Sequence, residues 1–241
     1  MVSEIMLQQT QVSRVLPKYK EFLKVFPTSR ALAESDDAQL LAIWSGLGYW
    51  RRARFLKEAC KAIEKDFGGK FPKEVKTLKS LPGIGPYTAG AISCFAFNTS
   101  EAFIDTNIRR VYLHFFFPNK KDISDTDIIP IAQKAIWQED PREWHFALFD
   151  YGAMELKNKK INRNSRHYAK QSKFAGSFRS YRAHAMRFLL AHQEKKIKTI
   201  ELVEFLEDTL RQDERDYSAE EIITSLEKDK LVRKEKGFVR V

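Results

Sequence analysis

Apolar residues recur every three to four positions along most of the chain, which is the spacing of one face of an α-helix. The clearest example is the stretch 12–26, where Val15, Tyr19 and Phe22 share such a face. We expect a helix there, with Pro17 in its first turn or at a kink. The same periodicity predicts helices that run from a cap at Asp36 or Asp37 to Trp44 and over 49–67, 73–80, 86–97, 107–116, 126–137 and 142–156.

The C-terminal part of the chain shows a different pattern. Three helices are predicted at 179–192, 200–211 and 219–228, and two short apolar runs follow at 231–234 and 238–241. Lys236-Gly237 lies between these runs and predicts a tight hairpin. Three helices with a terminal hairpin resemble a winged-helix module, and a purely structural helical bundle is the alternative.

These patterns predict an all-α fold with two lobes. The helical core is expected at 1–156, a basic and irregular linker at 157–177, and a small winged-helix-like module at 178–241. No apolar run approaches the roughly 20 residues that cross a bilayer. The first residues also lack the basic and apolar regions of a secretion signal, so we expect neither a membrane protein nor a secreted one.

The net charge of +10 favours a polyanionic partner, and the position of the charge sharpens this expectation. Residues 157–187 contain ten Lys or Arg and no Asp or Glu, with aromatic residues interleaved. Such a segment can track phosphates along DNA, although a solvated linker would have the same composition. The candidate phosphate contacts in it are Lys157, Lys159, Lys160, Arg163 and Arg166.

The chain has two cysteines, Cys60 and Cys94, each within an apolar helical pattern. Two thiols supply neither a four-cysteine zinc site nor an iron–sulfur cluster, so we predict no metal site. Buried unpaired thiols are typical of a reducing compartment. We therefore expect an intracellular protein in any case, which in a prokaryote would be cytoplasmic and associated with the nucleoid.

The first candidate site is the turn Leu81-Pro82-Gly83-Ile84-Gly85, between two predicted helices. Its glycines permit positive φ and let backbone N–H groups face a phosphate. Pro86 then begins a helix, whose positive dipole end adds to the same site. Residues 80–97 therefore indicate either a helix-hairpin-helix that holds DNA by its backbone or an ordinary turn.

The second candidate site is Asp105, in the segment 103–110. This residue is typical of a helix N-cap. A carboxylate beside a phosphate-binding hairpin also suits chemistry at the sugar, because loss of a base leaves oxocarbenium-like charge that the carboxylate can stabilise or trap. Both interpretations stay open at this point.

The third candidate site is the opening segment, Ser3–Gln11, with the sequence SEIMLQQTQ. Leu7 is suited to wedge into a base stack, and Gln8 and Gln9 offer amides to base edges. Glu4, in a place with little water, is a candidate for the raised-pKa acid that protonates a departing purine. The alternative is a polar helix start with Ser3 as its cap.

Together these sequence motifs resemble those of one protein family. SEIMLQQTQ, then GLGYW followed by RRAR, then LPGIGPYTAGA and IDTNIRRV occur in the order and approximate spacing of adenine DNA glycosylases of the MutY type. The resemblance extends over about 3–154 and includes the segment ALFDYGAM. The long opening match is highly specific, whereas the hairpin and the aspartate alone would indicate only the wider superfamily.

The resemblance implies roles for individual residues. Glu4 matches the acid that protonates adenine at N7 and then helps to activate water, and Asp105 matches the carboxylate that stabilises or captures the sugar cation. Asn107 matches a supporting amide, and Asp150 a second acidic residue near the site. Tyr87 stands where lyase-competent relatives such as endonuclease III carry a lysine, so the implied enzyme is monofunctional. The residues implied to contact DNA are Leu7, Gln8, Gln9, Thr10, Tyr49, Leu81, Gly83, Ile84, Gly85 and Arg109.

Three departures from the family pattern stand out. The family binds a [4Fe–4S] cluster through four cysteines after the segment that matches Gly152-Ala153-Met154, but here Leu156, Arg163, Arg166 and Ser172 stand near those positions. We therefore expect no cluster and no other cofactor. The winged-helix-like stretch stands where the family has a Nudix-like domain that reads 8-oxoguanine. The family also has further residues before Ser3-Glu4, so Glu4 is expected close to a chain end that can fray.

The sequence thus predicts a monofunctional DNA N-glycosylase that excises adenine opposite 8-oxoguanine or guanine in base excision repair. We expect a monomer whose cleft between two helical lobes holds the flipped base between Glu4 and Asp105, on double-stranded DNA with a mispair or an oxidised guanine. One alternative is a thymine or uracil glycosylase for G·T and G·U mispairs, against which Gln8-Gln9 argues. Others are a non-catalytic lesion-binding module and, more weakly, a winged-helix regulator with an inert helical domain.

Overall fold

The structure, a computed structural model, describes residues 1–157, 160–170, 173–192, 196–213 and 216–241. It is helical with one small sheet, which confirms the predicted all-α class. The α-helices are α1 (Val2–Leu7), α2 (Val12–Val25), α3 (Ser29–Ala33), α4 (Asp37–Trp44), α5 (Arg51–Phe67), α6 (Val75–Leu78), α7 (Pro86–Phe97), α8 (Thr106–Phe116), α9 (Asp125–Ala135), α10 (Pro141–Met154), α11 (Phe178–Ala191), α12 (Thr199–Gln212) and α13 (Ala219–Lys228). A 3₁₀ helix covers Lys160–Asn164, and the strands are β1 (Ile197–Lys198), β2 (Arg233–Glu235) and β3 (Phe238–Arg240).

The chain divides into two compact units. The hairpin unit comprises Lys70–Lys170 together with Met1, and the terminal unit comprises Val2–Gly69 together with Gln171–Val241. The terminal unit is therefore assembled from two stretches that are distant in sequence. The division into core, linker and C-terminal module follows chain order instead, and it stays a prediction.

The hairpin unit is built around α7 and α8. Helix α7 is apolar on all sides and lies in the interior, as expected for a helix without a polar face. Its neighbours in the core are residues of α8 and α9, among them Ile108, Leu113 and Ile128. Helix α10 packs along α8, and a capping box at Ser124 begins α9.

The N-terminal part of the terminal unit is organised by α5. This helix buries one face, which includes Leu56 and Ile63, and packs on α3. It ends at Gly68, which adopts the left-handed conformation of a helix C-cap. Trp44 of α4 is fully buried and meets the Phe22 ring of α2 edge to face at 6.1 Å.

The C-terminal module, residues 178–241, has the element order α11-β1-α12-α13-β2-β3. Its sheet is antiparallel with the strand order β1-β3-β2. Lys236 and Gly237 form the turn between β2 and β3 with φ values of +48° and +83°, so the β-hairpin predicted at this position is confirmed. Strand β1 was not predicted, because two residues are too short to show an alternation.

The other differences concern short elements. Helices α1 and α3 each span fewer than seven residues, too few to establish a helical period. Ser3 lies inside α1 and does not cap it. The stretch after Met154 is not irregular throughout: Ser165 is buried and bridges to Ile123 beside the 3₁₀ helix. No helix in the described part of the chain is long and apolar enough to cross a membrane.

Candidate nucleic-acid interface and active site

The glycine turn of the hairpin unit connects α6 to α7. Leu81 and Ile84 are buried, and their amides already donate to Leu78 O and Leu81 O. Gly83, with φ at +75°, and Gly85, which precedes the first helical residue Pro86, are both exposed. The two apolar side chains therefore hold the turn in place, and the exposed backbone lies at the glycines.

Asp105 is the N-cap of α8 and a hydrogen-bonded carboxylate at the same time. One oxygen accepts from Ile108 N at 2.6 Å, and the other accepts from the Asn107 side-chain amide at 3.2 Å. Burial raises the pKa of Asp105, and the hydrogen bonds from Ile108 and Asn107 partly oppose this shift. The cap interpretation and the carboxylate interpretation of the sequence are thus compatible.

Phe103 anchors the strand of chain that leads into Asp105. Its buried ring stacks on His145 with the centroids 4.2 Å apart, and Tyr87 meets it edge to face at 5.8 Å. A Cβ atom at Gly90 would lie 2.6 Å from Phe103 Cβ, so only glycine allows this approach of α7. Packing of apolar groups therefore places Tyr87 beside the segment that carries Asp105.

The backbone of Asn107 packs closely against Gly152 of α10. A Cβ atom at Gly152 in α10 would lie 2.4 Å from Asn107 O, well inside contact distance. Arg110 also donates to Gly152 O, which ties α8 to α10. Asp150 stands two residues before Gly152 with an exposed side chain. Close packing against Gly152 thus constrains the first turn of α8, where Asp105 and Asn107 lie, and a side chain at position 152 would prevent this packing.

The predicted DNA-contacting cations of this unit differ in their surroundings. Arg109 forms a two-pronged ion pair with Asp125, at 2.7 and 2.8 Å, that joins α8 to α9. Arg166 is exposed and pairs with Asp122 at 2.7 Å. Lys157, Lys160 and Arg163 are exposed, and Lys159 lies outside the described residues.

In the terminal unit the opening segment forms α1 and the turn after it. Ile5 and Met6 are buried, whereas Leu7 and Gln9 are exposed. Gln9 has φ at +54°, a conformation that is costly for a residue with a side chain. The segment thus has an anchored apolar side and presents polar side chains from a strained turn.

One buried cation, Arg52 of α5, holds this turn. Burial lowers its pKa to about 10, so it remains charged at neutral pH. Its two terminal nitrogens donate, at 2.5–3.1 Å, to five backbone carbonyls and one hydroxyl. The acceptors belong to Ile5, Met6, Gln8, Thr10, Leu47 and Gly48.

Sequence reasoning missed Arg52, because it used RRAR only as one of the motifs that carry the family resemblance. The signal was present in the helical register: Arg52 lies four residues before Leu56 and eleven before Ile63, on the buried face of α5. A charged residue on an apolar helix face indicates a paired or networked cation, since burying an unpaired charge is costly.

The GLGYW loop, residues 46–50, lies directly against this network. Tyr49 has φ at +46° and is 37% exposed. The Arg52 guanidinium lies 5.4 Å from the centroid of its ring. Thr10 Oγ1 bonds to Leu47 O at 3.3 Å, which links the loop to the opening segment.

The predicted site residues therefore fall into two groups. The hairpin unit brings together Asp105, Asn107 and Tyr87. The terminal unit brings together the opening segment with Glu4, and Tyr49. Among the described residues, no three His, Cys, Asp or Glu side chains are arranged to hold a metal ion.

Comparison with known proteins identifies the class. Residues 2–136, more than half of the chain, match the HhH-GPD superfamily base excision DNA repair proteins. The chain belongs to this superfamily. It resembles a thermostable thymine-DNA glycosylase of known structure with a TM-score of 0.59 over 68% of this chain and 80% of that one; at 22% identity, this likeness shows the fold alone.

Individual relatives point to a narrower group. The chain is 40% identical over 157 residues to the adenine DNA glycosylase of Buchnera aphidicola subsp. Baizongia pistaciae (strain Bp), covering 64% of this chain and 44% of the relative. It is 47% identical over 111 residues to the adenine DNA glycosylase of Mycolicibacterium smegmatis, covering 46% and 38%. The resemblance inferred from the motifs is confirmed, and the chain spans less than half the length of these relatives.

Proposed function

We propose that the protein is a monofunctional DNA N-glycosylase that removes adenine mispaired with 8-oxoguanine or guanine, as an intracellular monomer acting in base excision repair. The observation that carries the proposal is Asp105, a half-buried carboxylate fixed on the first turn of α8 by Ile108 and Asn107. The adenine preference rests on the opening segment and on relatives named for that activity.

The reaction requires one acid and one anion at the same nucleotide. Glu4 donates a proton to N7 of adenine, the C1′–N9 bond breaks, and its electron pair leaves with the base. Asp105 stabilises the positive charge that develops on the sugar. Water then adds at C1′ and gives up a proton to the Glu4 carboxylate, which leaves an abasic site and free adenine and restores the acid.

Tyr87 supports the monofunctional assignment. A Schiff base with the opened sugar needs an amine, which a phenol cannot supply. The strand therefore stays intact until alkali cleaves it at the abasic site. The Tyr87 ring packs edge to face against Phe103, which supports a structural role for this side chain.

We also infer that the protein works without an iron–sulfur cluster. Cys60 and Cys94 are its two thiols, and both are buried in helices, where burial raises their pKa to about 12 and about 11. A cluster takes four thiolates, so this donor set does not fit. Leu156, near a cluster-ligand position of the family, is buried in the core instead.

Hydrogen bonds support a structural replacement for the cluster loop. Asn162 donates to Thr106 O at 3.2 Å, and Arg166 N donates to Ile123 O at 2.9 Å. These bonds fasten the segment after α10 to the start of α8 and to the segment before α9. We infer that the exposed cations of this segment contact phosphates there.

The test uses four duplexes, with A·8-oxoG, A·G, T·G and U·G mispairs, followed by alkali cleavage. We expect cleavage on the two adenine duplexes at the adenine position. Cleavage on T·G or U·G alone would assign the protein to the pyrimidine-releasing alternative. Mispair binding with every base retained would assign it to a lesion-binding module.

Glu4→Gln separates chemistry from binding. The amide cannot protonate adenine, so we expect base release to be lost while the variant still binds the A·8-oxoG duplex. Single-turnover assays and fluorescence anisotropy measure the two properties. Full activity of Glu4→Gln would refute the acid assignment.

A further inference from the structure

Tyr49 is held by a contact from the C-terminal module. Arg179 of α11 donates from Nη1 to the Tyr49 hydroxyl at 2.7 Å, and its guanidinium lies 5.9 Å from the ring centroid. Arg52 approaches the same ring at 5.4 Å. Two cations therefore contact one aromatic ring whose backbone is already in a left-handed conformation.

The module is also fastened to the helix that follows the GLGYW loop. The Asp229 carboxylate accepts from Arg182 at 2.5 Å and pairs with Arg51 of α5 at 3.3 Å. Arg54 of α5 donates to Asp229 O at 2.8 Å. Both Arg51 and Arg54 belong to the RRAR motif, so this motif anchors the module as well as the opening segment.

The charge of the module is divided between its helices. Helix α11 carries Arg179, Arg182 and Arg187 and no acidic residue. Helices α12 and α13 are acidic. Their charged residues are Glu201, Glu204, Glu207, Asp208, Arg211, Glu220, Glu221, Glu227 and Lys228. DNA phosphates are repelled by α12 and α13, so α11 is the helix of the module that suits a surface in contact with DNA.

We propose that Arg179 is a positioning residue for Tyr49, and that through this contact the C-terminal module sets how well the protein distinguishes a mispair from a matched pair. The inference rests on the proposed function only in taking Tyr49 as a DNA-contacting residue. A tyrosine at an exposed, strained turn is suited to stack on a base, and a fixed ring loses less conformational freedom when it does so.

The test measures binding, so that it does not depend on base release. Duplexes carry 2′-fluoro-2′-deoxyadenosine opposite guanine or thymine, because the fluorine destabilises the sugar cation and keeps the base attached. The ratio of the two dissociation constants gives the discrimination. Arg179→Ala is expected to reduce this ratio about tenfold, the size expected for a hydrogen bond that a charged group donates.

Arg187→Ala is the matched control, since it removes the same charge from an exposed position of the same helix. It is expected to weaken binding to both duplexes equally and to keep their ratio. Tyr49→Phe removes the same hydrogen bond from the other side and is expected to reproduce the loss, with no further loss when it is combined with Arg179→Ala. An unchanged ratio in Tyr49→Phe, or equal effects of Arg179→Ala and Arg187→Ala, would overturn the proposal.

The outcomes also separate this proposal from the proposed function. If the wild type releases adenine while Arg179→Ala keeps full discrimination, the positioning role is wrong and the glycosylase assignment stands. If the wild type releases no base while Arg179→Ala loses discrimination, the glycosylase assignment is wrong and the positioning role stands. Thermal denaturation of each variant verifies that the C-terminal module is still folded.

Discussion

The two groups of candidate residues differ in what holds their backbone in place. In the hairpin unit, the backbone around Asp105 and Asn107 is positioned by packing, with Phe103 against His145 and Gly152 against Asn107 O. Hydrogen bonds then orient the Asp105 carboxylate. In the terminal unit, the opening segment is positioned by hydrogen bonds from one buried cation, Arg52. Packing tolerates small displacements poorly, so it suits the role proposed for Asp105, in which the carboxylate must lie close to a reacting carbon.

The buried cation Arg52 and its six hydrogen-bond acceptors form a charged hub, which suits a different task. The hub can hold backbone carbonyls that point in several directions, and with them strained residues such as Gln9 and Tyr49. Strained residues persist only where the surroundings determine them strongly. This difference predicts that changes in the packed residues around Asp105 mainly slow base release. Changes in the Arg52 hub should instead mainly destabilise the turn after α1.

Among the variants that test this comparison, Asp105→Asn has the largest expected effect. The amide can still cap α8 but carries no charge to stabilise the sugar cation, so we expect base release to slow about a thousandfold, equivalent to about 4 kcal/mol. Single-turnover kinetics on the A·8-oxoG duplex measure this. Glu101→Gln, an exposed change in the same loop, should leave the rate within about twofold. Unchanged turnover of Asp105→Asn would remove Asp105 from the mechanism.

Arg52→Met tests the hub. It leaves buried carbonyls without donors, and we expect the free energy of unfolding to fall by about 3 kcal/mol. Denaturant unfolding measures the change. Arg51→Met removes an ion pair with Asp229 in which the arginine side chain is exposed, and it should cost at most about 1 kcal/mol. Equal costs for the two variants would show that the buried Arg52 network contributes no more to stability than the ion pair of Arg51.

Gly152→Ala tests the packed group at a distance from the reacting atoms. The added methyl overlaps Asn107 O, and we expect a loss of about 2 kcal/mol in stability together with slower base release. The adjacent Ala153→Gly changes an exposed position and should keep the rate. Normal kinetics in Gly152→Ala would mean that the first turn of α8 is less constrained than its packing indicates.

The smallest expected effect concerns pH. Because burial raises the pKa of Asp105 above its ordinary value of 3.8, ionising it costs the folded protein stability that the unfolded chain does not lose. Wild-type stability relative to Asp105→Asn should therefore decline as pH rises from about 3.8 to the raised pKa, and then stay constant. Thermal unfolding of both proteins from pH 4 to 8 measures this difference. A difference that grows in favour of the wild type would contradict the sign.

The sequence predicted the long helices well because their periodic apolar faces determine them locally. Helix α5 and the hairpin at Lys236-Gly237 are examples. It could not predict β1, which forms only through pairing with β3 from the far end of the module. The same limit applies to the partnership of Arg179 with Tyr49, since the two residues are 130 positions apart.

For the candidate site, the sequence predicted which residues are candidates for chemistry but not what holds them in place. The sequence suggested that Asp105 is a helix cap or a carboxylate suited to chemistry. The structure shows the cap and the hydrogen bonds to the carboxylate, and the chemical role stays a prediction. Leu81 and Ile84 were grouped with the DNA-contacting glycines, yet their side chains are buried. A motif match assigns one role to all residues of the motif, whereas in the structure some of these residues are buried and others are exposed.

The discontinuous terminal unit has a kinetic consequence. The hairpin unit is almost one continuous stretch, so its contacts need no distant partner. The terminal unit requires residues 171–241 to return to residues 2–69, and non-local pairing of this kind closes slowly because chain entropy is lost before contacts form. During synthesis Asp105 can thus reach its native surroundings well before the contact between Tyr49 and Arg179 can form.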